Sequence, residues 1–182
     1  MGALTRSNRG ELPNYDNMSI QKIFEKGCKY VDREDYRKAI HLFEIVIERQ
    51  KFKRLSDPDF EADLFYNLSF AYLQAGADNF INYGDKSFLK KSLEYAEACL
   101  GVKPQYWQAY ENMANVYIKL RDFDQADIYF LEAEKYLDPQ SPEYKKIVKR
   151  QEVVRRVNKM KKEKAQIQED KSKPPKEKKE DK

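Results

Sequence analysis

The sequence has few residues that would break or crosslink a chain. Glycine and proline together make up only 13 of the 182 residues, which is too few for a β-sandwich, a barrel or a loop-rich scaffold. Two cysteines, Cys28 and Cys99, cannot build a disulfide framework or a zinc site. We therefore expect a reducing, cytoplasmic location.

Long apolar runs are also missing. No stretch approaches 18 consecutive apolar residues, so no membrane-spanning helix is expected. The first 20 residues contain no apolar segment of signal-peptide length, so we do not expect secretion by that route.

What the chain does contain favours helices. Charged residues make up 36% and hydrophobic residues 41%, and 13 tyrosines, 10 phenylalanines and one tryptophan supply large side chains for a core. Since helix-breaking residues are scarce, this composition favours an all-α protein rather than a disordered one.

Charge is distributed unevenly along the chain. Residues 1–144 hold 19 Lys/Arg and 24 Asp/Glu, a net charge of −5, whereas residues 145–182 hold 16 and 7, a net charge of +9. The last 13 residues, 170–182, have no large apolar side chain and are predicted to be disordered. Residues 1–18 carry turn-forming residues and are predicted to be a flexible lead-in.

From Ser19 onward the apolar residues recur with helical spacing and form repeated hairpins. Two helices joined by about four residues must fold back on each other. The first hairpin and the third share the same intervals between small and aromatic residues: Gly27, Tyr30, Ala39, Phe43 and Val46 in one, and Ala114, Tyr117, Ala126, Phe130 and Ala133 in the other. The middle hairpin keeps its internal intervals around Ser69, Tyr72, Ser92, Ala96 and Cys99.

This register resembles the tetratricopeptide repeat (TPR), a 34-residue helical hairpin with a small residue, an aromatic, A-x₃-F and then proline at fixed positions. The repeats would span roughly 20–53, 62–106 and 107–140, within a repeat domain at 19–140. Ile23, Phe65 and Tyr110 stand where the family often has tryptophan, and Ala96 stands where an aromatic is usual. The resemblance implies a right-handed α-α superhelix of three hairpins with a long C-terminal capping helix.

Eleven extra residues at 75–85 separate the two helices of the middle repeat and are predicted to form a loop. Phe80 and Tyr83 in this segment have two open interpretations: they contact a partner, or they fold back over the weakly filled region at Ala96.

The cap is predicted at residues 141–169. Ser141-Pro142-Glu143 has the residues of a helix start, and an apolar stripe follows. The helix is expected to dock over its first three or four turns and then to project. Its basic charge favours solubility, contact with a polyanion such as RNA, or contact with an acidic surface. Because no aromatic residue follows Tyr144, base stacking is not expected.

No residue pattern indicates catalysis, a metal site or a cofactor. The lone His41 is interpreted as an exposed surface residue, and Cys28 and Cys99 as packing residues. The chain has no phosphate-binding glycine loop and no metal-ligand spacing. We therefore expect no enzymatic activity.

The resemblance implies that the first helices of the repeats line a groove for an extended peptide. Asn67 and Asn112 occupy equivalent outward positions and could bind a peptide backbone through their amides, or be ordinary exposed polar residues. The wider set of candidate groove residues is Asn67, Asn112, Asn115, Tyr66, Phe70 and Gln108.

One binding mode of the family is not expected. Chaperone-binding members hold a carboxylate with cations on the groove helices, and the matching positions here are Phe24, Cys28, Asn67, Gln108 and Asn112. Only Asn67 matches, so the charge-assisted bonds would be lost. The predicted function is a non-catalytic adaptor or scaffold for a protein or peptide partner; the alternatives are a fixed subunit of a larger complex, and a polyanion-associated protein.

Overall fold

A computed structural model describes residues 15–50 and 57–172, with side chains for all of these except 78–83 and 170–172. Most of the predicted lead-in and most of the predicted disordered tail lie outside these residues. The prediction of disorder is wrong at 170–172, where the backbone is helical. The described residues form seven helices and no strand: α1 (Ile20–Asp32), α2 (Tyr36–Gln50), α3 (Pro58–Tyr83), α4 (Ser87–Val102), α5 (Trp107–Lys119), α6 (Phe123–Glu134) and α7 (Pro142–Ser172). The prediction of an all-α protein built from helical hairpins is confirmed.

The first and third hairpins turn in the same way. Glu34 and Arg121, which occupy equivalent positions in the repeat, both have left-handed backbones with φ of 59° and 60°. In each turn the next residue donates its backbone N–H across the turn, from Asp35 to Tyr30 and from Asp122 to Tyr117, at 2.9 Å. The repeat register read from the side chains is therefore also present in the backbone.

The described residues fall into two compact units, one at 15–50 and the other at 57–172. The first contains the α1–α2 hairpin. Its core includes Ile23, Ala39 and Phe43, which are fully buried. A Cβ placed on Gly27 would lie 2.8 Å from Cδ1 of Phe43. Helices α1 and α2 therefore approach closely at this pair, as the small residue at position 27 predicted.

The second unit contains α3 to α7. Helix α3 packs on α4, α5 packs on α6, and α7 packs on α6. The region around Ala96 is filled by neighbouring aromatic residues, including Phe65, Tyr106 and Tyr129, which pack against its buried cluster. A large side chain is therefore not needed at Ala96 itself.

The prediction of a loop at 75–85 is wrong over 75–83, where the backbone continues α3. No proline interrupts this segment, and Gly76 allows α3 to approach α4, since a Cβ there would lie 2.6 Å from Cβ of Phe88. Gly84, with φ of 68°, follows the end of the helix. Phe80 and Tyr83 thus lie on a helix, and their side chains are outside the described residues.

The start of α7 is capped as predicted, because the backbone N–H of Tyr144 donates to Ser141 Oγ at 3.1 Å. Docking continues further than three or four turns. Arg155 donates to Asp127 at 2.7 Å, and Lys162 pairs with Asp124 at 2.8 Å, about five turns into the helix. These polar contacts hold α7 against α6 beyond the end of its apolar stripe. The stripe alone therefore predicted too short a docked segment. No described helix is both long and apolar enough to cross a membrane.

Candidate binding groove

An open groove of about 450 Å³ lies between α3, α5 and α7. One wall is aromatic and apolar, and the other carries amides and charges. The lining residues are Tyr66, Phe70, Leu73, Gln74, Glu111, Asn112, Asn115, Ile118, Lys119, Lys146 and Arg150.

The aromatic wall is built on α3. The ring of Tyr66 lies 6.4 Å from that of Phe70 and 5.3 Å from that of Tyr106, measured between centroids. Tyr106 donates its hydroxyl to Asp63 Oδ1 at 2.7 Å, and burial together with this bond raises its pKa well above the ordinary tyrosine value. Burial likewise raises the pKa of Tyr66. Both phenols are therefore neutral, and the wall is an uncharged surface suited to apolar side chains.

The polar wall is organised by Arg150, which α7 supplies. Its two terminal nitrogens donate to Glu111 Oε1 and Asn115 Oδ1 on α5. Its guanidinium carbon lies 5.5 Å from the ring centroid of Phe130. Lys146 lies 3.4 Å from the same Glu111 oxygen, and the Glu111 side chain is only 13% exposed. Two cations thus lie against one partly buried carboxylate, and Arg150 is held in place by several neighbours.

The balance of charge in the groove is positive. Lys119, Lys146 and Arg150 line it together with a single acid, Glu111. Since Arg150 is matched by Glu111, the remaining positive potential comes from the lysines on α5 and α7. This arrangement gives the groove a positive electrostatic potential.

Four of the predicted groove residues line this groove: Tyr66, Phe70, Asn112 and Asn115. Asn67 instead donates its amide to the backbone carbonyl of Asp63 at 2.8 Å, within its own helix. Gln108 is half-buried on α5.

The prediction that Asn67 and Asn112 both face solvent is wrong, because Asn67 is half-buried and Asn112 is only 4% exposed. Asn112 donates Nδ2 to Ser69 Oγ at 3.3 Å, and Ser92 donates its hydroxyl to the Ser69 carbonyl at 2.8 Å. The small serine leaves room for the amide between α5 and α3. Asn112 is therefore part of a buried polar network. Asn67 occupies the equivalent position of its repeat but is less buried.

The basic side of this groove was not predicted. The candidate positions for cations lay on the first helices of the repeats, whereas Lys146 and Arg150 come from α7. A signal was present in the sequence. Arg150 lies three residues after Ile147 and four before Val154, both buried, so it falls on the docked face of α7.

The two cysteines and the histidine differ in their burial. Cys99 is fully buried and Cys28 is half-buried. His41 is half-buried on α2 rather than exposed as predicted. Within the described residues, no group of three or more His, Cys, Asp and Glu side chains could hold a metal ion.

The thiol of Cys99 is expected to be unreactive in the folded protein. Burial, followed by the nearby negative charge of Asp63, raises its pKa to about 12, so the thiolate is scarce at pH 8. In a Cys28→Ser variant, a thiol reagent at pH 8 should label Cys99 at least about 100-fold more slowly in buffer than in urea. Equal rates in the two solvents would show that Cys99 is accessible and ionised.

Comparison with known proteins supports the fold. No protein-family model matches the chain, and no curated protein matches it. Among solved structures, the chain is similar to the crystal structure of the Sgt2 TPR domain from Aspergillus fumigatus, with 19% sequence identity and a TM-score of 0.60. The match covers 90% of this chain and 89% of that chain. At this identity the likeness shows the fold alone, an all-α arrangement of helical hairpins like that of a TPR domain.

Proposed function

We propose that this protein is a non-catalytic adaptor that holds an extended segment of a protein partner in the groove between α3, α5 and α7. The observation that carries the proposal is the pairing of an uncharged aromatic wall with a fixed polar wall across one open groove. Grooves of this kind provide apolar contact area on one side and orienting polar groups on the other.

Each wall has a distinct role in the proposal. An apolar side chain of the partner packs on Tyr66 and Phe70, which gives most of the binding free energy. Asn115 accepts from Arg150 through Oδ1, and its Nδ2 can donate to a backbone carbonyl of the partner. Lys146 lies near Glu111, but its side chain is 63% exposed. It can therefore also pair with an acidic side chain of the partner.

Arg150 acts as a positioning residue in this proposal. Its planar guanidinium fixes the side chains of Glu111 and Asn115 before a partner arrives. Groups that are already ordered lose less conformational entropy on binding. The capping helix thus contributes to the groove as well as covering the last hairpin.

The test combines capture with affinity measurement. Proteins retained from native extract by the full chain are identified by mass spectrometry, and the affinity of the recovered segment is measured by calorimetry. The variant Phe70→Ala/Gln74→Ala, which shortens two lining side chains, should weaken binding at least about tenfold. The matched control is Val153→Ala, an exposed apolar residue of α7 outside the groove lining.

Two outcomes would contradict the proposal. If the groove variant binds as tightly as wild type, the segment does not occupy this groove. If the control loses affinity instead, the partner docks on the outer face of α7, as expected for a fixed subunit of a larger complex.

A further inference from the structure

A second groove lies on the other side of Ile118 and Lys119, between the end of α5, the start of α6 and the outer half of α7. Its volume is about 1070 Å³. Its floor is apolar and is formed by Ile118, Phe123, Val157, Met160 and Ala165. The side chains of Val157 and Met160 remain 40% and 50% exposed. Adjacent exposed apolar residues on a surface that is otherwise charged mark an interaction site.

The rim of this groove carries charge of one sign. Four cations line it, and none of its described lining residues is acidic: the cations are Lys119, Arg121, Lys161 and Lys164. The nearby acid Asp124 is already paired with Lys162 and accepts from Asn158, at 2.8 and 2.7 Å. An uncompensated basic rim around an apolar floor favours an occupant that is both acidic and amphipathic.

The groove also has the form of a helix-packing surface. The α7 residues that line it, from Val157 to Gln168, recur at intervals of three and four residues. They extend along about 17 Å of the helix axis, which is close to three helical turns. A surface of this spacing accepts the apolar face of a second helix.

The charge of the chain argues against the protein's own segments as the occupant. The three segments outside the described residues, 1–14, 51–56 and 173–182, have net charges of +1, +3 and +2. A second copy of α7 would bring the same excess of lysine and arginine. Both would be repelled by the basic rim.

We propose that this second groove binds an acidic amphipathic helix of a protein partner. Apolar side chains of that helix, spaced three and four residues apart, cover Phe123, Val157 and Met160. Flanking Asp and Glu side chains pair with Arg121 and Lys164. Because the groove differs from the one between α3, α5 and α7, the chain can hold two segments at once.

The experiment uses the full chain and a defined probe. The probe is a fluorescein-labelled 18-residue peptide with leucine or phenylalanine at positions spaced by three and four, glutamate elsewhere and blocked ends. A control peptide has the same composition in a scrambled order without an apolar face. The probe should bind with micromolar affinity in fluorescence anisotropy, and the scrambled peptide at least about tenfold more weakly.

Substitutions in the second groove, at residues that do not line the first groove, show where the probe binds. Met160→Ser and Arg121→Glu/Lys164→Glu should each weaken the probe at least about tenfold. The controls are Val153→Ser, an equally exposed apolar residue, and Lys145→Glu/Lys149→Glu, which lowers the net charge by the same amount. Both controls should stay within about twofold of wild type.

Several results would overturn the proposal. Equal binding of the scrambled peptide would show nonspecific charge attraction, and absence of probe binding would show that the groove accepts no such helix. Binding of a 20-nucleotide RNA that depends on Arg121 and Lys164 but not on Met160 would assign the rim to a polyanion. Self-association in sedimentation equilibrium that Met160→Ser abolishes would assign the groove to a second copy.

Discussion

Truncation of Ile147 to alanine is expected to destabilise the second unit by about 2–5 kcal/mol, because this fully buried side chain joins α7 to the core of the last hairpin. Ala114, Ala126 and Phe130 lie in the same buried cluster. The cavity left by the missing atoms would be lined by these residues, which cannot collapse fully onto it. Urea denaturation followed by circular dichroism gives the free energy of unfolding.

The matched control is Val153→Ala, on the same helix. Val153 is 54% exposed, so its truncation should change the free energy of unfolding by less than about 0.5 kcal/mol. Similar losses from the two variants would contradict the docked face assigned to α7. A small loss for Ile147→Ala alone would show that α7 is not part of the core.

Replacement of Gly76 by alanine should also be costly, by about 1–3 kcal/mol, although alanine favours helices. An added Cβ would lie 2.6 Å from Cβ of Phe88 and 3.3 Å from the backbone nitrogen of Leu89. These atoms belong to or adjoin the backbone of α4, so they cannot move aside without shifting that helix. The expected result is a lower free energy of unfolding in urea.

Gly101, near the end of α4, should respond to the same substitution in the opposite way. A Cβ there would meet nothing within 4 Å, so Gly101→Ala should stabilise the unit by about 0.4–1 kcal/mol through helix propensity and a less flexible unfolded chain. Opposite signs for the two glycines test whether α3 and α4 approach as closely as described. If Gly76→Ala also stabilised the protein, the extension of α3 against α4 would be wrong.

The hairpins α1–α2 and α5–α6 were predictable because two local signals agree in each. The apolar residues recur with helical spacing, and the intervals from Gly27 to Phe43 and from Ala114 to Phe130 are identical. Helix α3 was harder to predict, because its last turns carry no repeat position that fixes their structure. The departure from the 34-residue period showed an insertion but not the structure that the insertion adopts.

The aromatic side chains and the amides that line the groove were predictable from the sequence, and its cations were not. Tyr66 and Phe70 follow from the register of one helix, which the repeat pattern fixes. The cations Lys146 and Arg150 depend on how the capping helix lies across α5 and α6, and this is tertiary information. The burial of Asn112 likewise depends on the small Ser69 of another helix, so helix register alone could not distinguish it from Asn67.

Photo-crosslinking from inside the groove between α3, α5 and α7 tests whether a partner segment occupies it. Phe70 is replaced by the aromatic crosslinker benzoylphenylalanine in the full chain, and Val153 is replaced in a parallel sample as an exposed site outside the groove. After irradiation in native extract, we expect the crosslinker at position 70 to capture one short segment of a partner protein and the crosslinker at position 153 not to capture it. Crosslinks to that partner from position 153 with none from position 70 would show that the segment lies outside the groove.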